Sequence, residues 1–183
     1  MIDRRLVLGG LAASFGASLF APLARAEAAG ATISHKPPAE RLFSAEQRAL
    51  LAEVSERIMP TTDTPGAKAA AVPDYIEQLL FQWAADSDKQ LVVAGLDAID
   101  AQARADHAMP GQALSGEQLD ALLTRAMNGQ ICDPAFFPAL KQMVLFGYYT
   151  SEIGVTVERV YLPVPGTYDG GYPYAKVGRI MVG

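Results

Sequence analysis

The chain has 183 residues, 50% apolar and 8% aromatic, a composition typical of one globular domain. Its 15 basic and 20 acidic residues give a formal net charge of -5, which argues against nucleic-acid binding because neutralising phosphates requires surplus Lys and Arg. The single cysteine, Cys132, excludes an intrachain disulfide and cannot by itself form a zinc or iron–sulfur site. We expect it to be a small buried apolar residue.

Residues 1–26 have the organisation of an export signal. Arg4 and Arg5 form a charged start, residues 6–23 form an uncharged run rich in Gly, Ala and Ser, and Ala24 and Ala26 complete an A-x-A cleavage motif. The run is a poor membrane anchor because its small side chains supply little transfer free energy. The paired arginines indicate a twin-arginine signal, with a general secretion signal as the alternative. We therefore expect a periplasmic protein that is exported folded, often together with a cofactor or a partner.

The segment after the signal differs in character from the rest of the chain. Residues 27–41 are polar and contain Gly30, Pro37 and Pro38, which predicts a flexible tether. The domain then spans residues 42–183.

Helical periodicity predicts five helices and an all-α compact bundle. A capping box of Ser44 and Gln47 opens the first helix, which runs to about Ile58, and Pro73 lies in the first turn of the second. Residues 86–109 form the third helix despite an internal glycine.

Two further helices follow the Pro-Gly pair at residues 110–111. A second capping box, Ser115 with Gln118, opens the fourth helix, and Asn-Gly at residues 128–129 closes it. Asp133 is expected to cap the fifth helix, with Pro134 at its first position, and this helix runs toward Tyr149.

The C-terminal segment is irregular from about residue 155. It is rich in Tyr, Pro and Gly and follows neither a helical nor an alternating pattern. We expect this tail to lie on a surface, either that of its own helices or that of another chain.

Few residues are candidates for chemistry. His35 lies in the tether and His107 near a helix end, and neither has a second ligand at metal-binding spacing. Asp97, Asp100 and Asp120 could bring carboxylates together across the third and fourth helices, but acidic residues at these positions are typical of a solvated helix face. We therefore predict no catalytic, cofactor-binding or metal-binding residue in this chain.

Three blocks of sequence together resemble the gluconate 2-dehydrogenase subunit 3 family. The first covers residues 43–60 with 65–67 and 72–76, the second 133–137 with 147–151, and the third 161–173. The order and spacing of these blocks extend over nearly the whole domain, whereas residues 86–130 contribute little.

The resemblance implies a heterooligomer. In such complexes a large FAD-containing subunit oxidises a sugar or sugar acid, and a multihaem cytochrome c subunit, carrying haem c, passes electrons toward quinone. The small subunit supports the large one and shares its export signal with it. Membrane attachment would be indirect, peripheral to the inner membrane through partners, and the substrate (gluconate, 2-ketogluconate, fructose, sorbitol or glucose) would be selected in another chain.

Ten residues are the predicted partner interface, chosen because aromatic side chains in irregular segments are favoured at interfaces. They are Gly147, Tyr148, Tyr149, Thr150, Ser151, Tyr161, Pro163, Pro165, Gly166 and Tyr168. The alternative for the Gly-Tyr-Tyr segment is intramolecular packing between the fifth helix and the tail. Alternative functions are a stand-alone periplasmic binding protein for a sugar or quinone, and an independent small enzyme.

Overall fold

A computed structural model describes residues 41–161, 166, 171, 173, 175 and 181–182. The predicted export residues Arg4, Arg5, Ala24 and Ala26 lie outside this part, as do His35 and the interface candidates Pro163, Pro165 and Tyr168.

The all-α prediction is confirmed. The described part of the chain contains five α-helices, followed by a π-helical turn and a minimal strand pair. The α-helices are α1 (Ala45–Ile58), α2 (Val72–Trp83), α3 (Asp86–His107), α4 (Gly116–Met127) and α5 (Phe136–Thr150). A 3-10 helix (Gly111–Ala113) lies between α3 and α4, and the π-helix (Gly154–Glu158) follows α5.

Local sequence signals account for several helix ends. Gln47 N donates to Ser44 Oγ at 3.1 Å while Ser44 N donates to Gln47 Oε1 at 2.9 Å, which is the predicted capping box of α1. Ser115 and Gln118 form the same reciprocal pair at the start of α4. Gly129, with a φ of 66°, follows the end of α4 in the left-handed region that favours glycine.

The start of α5 differs from the prediction. The Asp133 carboxylate accepts a hydrogen bond from Ala135 N at 2.8 Å, and Phe136 N donates to the Asp133 carbonyl at 3.0 Å. These bonds form a turn that contains Pro134, and the helix begins only at Phe136. Asp133 therefore organises the turn before the helix, because its side chain bonds to the nearest amide instead of to the first helical turn.

Residues 155–161, which were predicted to belong to an irregular tail, include regular structure. The π-helix continues to Glu158, and β1 (Val160–Tyr161) then pairs in parallel with β2 (Met181–Val182). This pair is only two residues long on each side, so it leaves the fold class unchanged.

Helix α5 contacts each of the other four α-helices, as α1 and α3 also do. Phe136, Leu140, Val144 and Tyr148 recur every fourth residue and form one buried stripe. Gly95 in α3 lies against this stripe, because a Cβ at that position would overlap the ring of Phe136. The glycine that interrupts the helical pattern of α3 is therefore explained by close packing against α5.

Cys132 is half-buried, where full burial was expected. It packs against the edge of the core, and burial together with the nearby charge of Asp133 raises the pKa of its thiol. No helix in the described part of the chain combines the length and apolarity needed to cross a membrane.

Candidate functional site

The predicted interface residues that the structure describes differ in their burial. Gly147 and Tyr148 are buried, Ser151 is half-buried, and Tyr149, Thr150, Tyr161 and Gly166 are exposed. Helical geometry decides this division at the end of α5, because neighbouring residues point in different directions around the axis. Tyr148 faces the core and Tyr149 faces outward.

Tyr148 belongs to the core of its own chain. Its side chain is 1% exposed, and its hydroxyl donates to the Pro65 carbonyl at 2.8 Å. The same hydroxyl lies 3.4 Å from Glu158 Oε2, which accepts from Thr64 Oγ1 at 2.6 Å. Burial raises the pKa of Tyr148. These contacts are intramolecular, but they join the end of α5 mainly to the loop before α2, and to the predicted tail only through Glu158.

The loop of residues 59–67 is held by Glu56, which sequence analysis did not single out. The Glu56 carboxylate accepts from Thr61 N at 2.9 Å, from Thr61 Oγ1 at 2.6 Å and from Lys68 N at 2.9 Å. Burial by itself would raise the pKa of Glu56, but these hydrogen bonds and the charge of Lys68 lower it. This loop therefore presents the Pro65 carbonyl to Tyr148 in a defined position.

A cleft of about 730 Å³ lies between the start of α2 and the end of α5. Gly147 lies against Tyr75, because a Cβ there would come within 2.6 Å of the Tyr75 ring. Three predicted interface residues, Gly147, Thr150 and Ser151, line this cleft. The other lining residues are Arg41, Ala70, Ala71, Asp74, Tyr75, Glu77, Gln78 and Glu152.

Glu77 is a buried carboxylate at this cleft, with a relative exposure of 4%. Its Oε1 accepts from Phe43 N at 3.2 Å, and its Oε2 lies 3.3 Å from Arg48 Nε and 3.9 Å from Arg41 Nη1. Two guanidinium groups thus compensate the buried charge, as a buried carboxylate requires.

The other two carboxylates of the cleft are not compensated. Asp74 and Glu152 are exposed, and neither side chain forms a hydrogen bond or ion pair with any residue that the structure describes. Although the half-exposed Arg41 also lines the cleft, carboxylates outnumber guanidinium groups in its lining.

An apolar shoulder, formed by Phe146 and Tyr149, lies beside the cleft at the end of α5. The Phe146 and Tyr75 ring centroids are 6.3 Å apart, which connects the shoulder to the cleft. The Arg159 guanidinium lies 5.3 Å from the Tyr149 ring centroid and donates to the Tyr149 carbonyl. Both shoulder residues are among the exposed large hydrophobic side chains.

The carboxylates considered for catalysis have structural partners instead. Asp97 accepts from Gln47 Nε2 at 2.6 Å, and Asp120 forms a two-pronged pair with Arg57. Asp100 accepts from Arg104 Nε and from Gly111 N, each at 2.7 Å. The pKa of Asp100 is lowered, since these bonds outweigh the burial that would raise it. The three groups therefore stabilise helix ends and helix contacts.

His107 is also engaged, since its Nδ1 lies 3.3 Å from Gln118 Nε2. Among the residues described, no group of three or more His, Cys, Asp or Glu side chains could hold a metal ion.

Sequence analysis missed the acidic residues of the cleft. A signal for Glu77 was present, because it lies four residues after Pro73 and three before Leu80, on the buried face of α2. Asp74 and Glu152 carried no comparable signal, since each resembles an ordinary exposed charge.

Residues 45–166 match the family model described as gluconate 2-dehydrogenase subunit 3. The match covers all five α-helices and the loops that form the cleft. Comparison with curated proteins and with solved structures found no match. The matched segment spans well over half of the chain, and the resemblance of the three sequence blocks is confirmed. The chain belongs to the gluconate 2-dehydrogenase subunit 3 family.

Proposed function

We propose that this chain is a non-catalytic small subunit of a periplasmic flavin-dependent dehydrogenase complex for a sugar or sugar acid. The observation that carries the proposal is the family match over residues 45–166, since this family is named as a subunit of a larger enzyme. The substrate is oxidised in a large FAD-containing subunit, and a multihaem cytochrome c subunit carries haem c and attaches the complex to the membrane.

The physical role is support of the large subunit by binding. A partner that binds only the folded state stabilises it by about 2.7 kcal/mol when present at 100 times its dissociation constant. The exposed side chains at the end of α5 and in β1, including Tyr149 and Tyr161, supply apolar area for this contact.

The contact surface can be tested with Tyr161, which is 52% exposed. We expect Tyr161→Ala to weaken co-purification with the co-expressed large subunit, because an aromatic anchor is lost. Met127 is 54% exposed and provides a matched control, since Met127→Ala removes a similarly exposed apolar side chain at the end of α4. Equal recovery of the large subunit with both variants would contradict the assignment of Tyr161.

The twin-arginine signal exports the large subunit together with this chain. We expect Arg4→Lys combined with Arg5→Lys to retain both subunits in the cytoplasm, as fractionation and immunoblotting would show. Arg25→Lys is the matched control, because it changes an arginine outside the pair. Periplasmic large subunit in the double variant would refute the shared signal.

A stand-alone periplasmic binding protein is the alternative function. It requires that the purified mature chain bind a sugar or quinone without any companion, which isothermal titration calorimetry measures. Binding of this kind, with no stable association with a flavoprotein, would replace the subunit proposal.

A further inference from the structure

We infer that the cleft between α2 and α5 is the docking site for a basic segment of the FAD-containing subunit, with an arginine side chain as its central contact. The inference rests on the proposed function and specifies which surface of this chain the partner recognises.

The first observation is a set of polar groups in the cleft without partners. The carboxylates of Asp74 and Glu152, the Tyr75 hydroxyl and the Gln78 amide line the cleft, and none hydrogen-bonds to any residue that the structure describes. The neighbouring hydroxyls are already used, because Thr150 donates to the Phe146 carbonyl and Ser151 donates to the Tyr148 carbonyl. The unused groups are mainly acceptors, which suits a ligand rich in N–H donors.

The second observation is the charge of the residues that line the cleft. The cleft is lined by three carboxylates, those of Asp74, Glu77 and Glu152, and by one guanidinium group, that of Arg41, so negative charges outnumber positive ones. Because of this excess of carboxylates, the cleft favours a cation over a sugar acid.

The half-buried ring of Tyr75 favours arginine over lysine. A guanidinium is planar, stacks on aromatic rings and offers donors in a fork that suits carboxylates.

The third observation is the apolar shoulder of Phe146 and Tyr149. Its link to the cleft through Tyr75 places exposed aromatic area next to the cleft. Interfaces combine aromatic and arginine contacts in this way, with an apolar centre and charged groups around it. The partner segment should therefore carry an apolar residue close to its arginine.

Charge reversal tests the inference on the co-expressed complex. We expect Asp74→Lys with Glu152→Lys to weaken binding of the FAD-containing subunit by at least about tenfold, because like charges would then face each other. The control is Asp88→Lys with Glu117→Lys, which changes the net charge equally at two exposed residues in the first turns of α3 and α4. We expect the control to change binding by less than about twofold.

A second pair of substitutions controls for misfolding of the charge-reversal variant. Asp74→Asn with Glu152→Gln removes both charges without adding new ones, and we expect a smaller loss of binding in the same direction. The affinity of the wild-type complex should also fall as salt is raised, since exposed charges are screened.

Photo-crosslinking identifies the protein segment that binds in the cleft. A benzoylphenylalanine at Gln78 should link to a peptide of the FAD-containing subunit that contains an arginine, whereas one at Gln90, an exposed glutamine of α3, should not.

Other outcomes overturn the inference. Wild-type complex that forms equally well with the charge-reversal pair would refute the docking site while leaving the proposed function intact. Crosslinks from Gln78 to residues 27–40 or 162–180 of the same chain would show that the chain covers its own cleft. Binding of a neutral sugar by the isolated mature chain, abolished by the reversal, would make the cleft a ligand site. Failure of the wild-type subunits to associate at all would refute both proposals.

Discussion

The hydrogen bond of Tyr148 to the loop before α2 gives the sharpest test of the core. Tyr148→Phe removes only the hydroxyl, which donates to the Pro65 carbonyl at 2.8 Å in a partly buried position. The carbonyl loses its donor while the 2.6 Å bond between Thr64 and Glu158 persists. We expect a loss of about 1 kcal/mol in the free energy of unfolding, because the part-buried Pro65 carbonyl loses its donor.

Urea unfolding of the purified mature chain, followed by far-UV circular dichroism, measures this loss. For a domain of this size about 1 kcal/mol corresponds to about 2–4 °C in Tm, so thermal unfolding offers a second readout. Tyr161→Phe is the matched control, because the Tyr161 hydroxyl makes no hydrogen bond to any described residue. Equal stability of the two variants would refute the structural role of the Tyr148 hydroxyl, and so would a Tyr148→Phe effect confined to partner binding.

Two further changes probe the packing of α3 and the loop after α1. Gly95→Ala should destabilise the chain by about 1 kcal/mol in urea unfolding, because overlap with the Phe136 ring costs about 1–3 kcal/mol and outweighs the roughly 1 kcal/mol gain in helix propensity. Phe136→Leu should lower the free energy of unfolding less in the Gly95→Ala variant than in the wild type. Strictly additive losses would contradict the contact between the two residues. Glu56→Gln should lower stability at neutral pH, with the difference from wild type shrinking as the pH falls below 4.5, the usual value for Glu. Because folding lowers the pKa of Glu56, its carboxylate stabilises the folded state fully above the pKa of the unfolded chain, and this stabilisation is lost as the pH falls. A difference in the urea midpoint that does not change with pH would refute this role of Glu56.

Helix positions could be predicted from the sequence because their signals are local. Both capping boxes and the first-turn Pro73 depend on residues within a few positions of one another. The start of α5 was predicted less well, because Asp133 can cap a helix or close a turn and the sequence does not distinguish the two.

The predicted interface was only partly informative. The sequence indicated an aromatic segment at residues 147–151, but nothing local distinguished Tyr148 from Tyr149. The acidic residues of the cleft were missed altogether, because Asp74 and Glu152 lie far apart in the chain and meet only when α2 packs on α5.

The sequence by itself determined the family and the helical class, since each depends on short patterns or on their order along the chain. Only the tertiary structure decided which tyrosine is core and which is surface, and which carboxylates share a cleft. The Tyr148 hydroxyl meets a carbonyl 83 residues away, and Glu158 accepts from a threonine 94 residues away. Such contacts arise from the packing of whole helices, which local periodicity cannot specify.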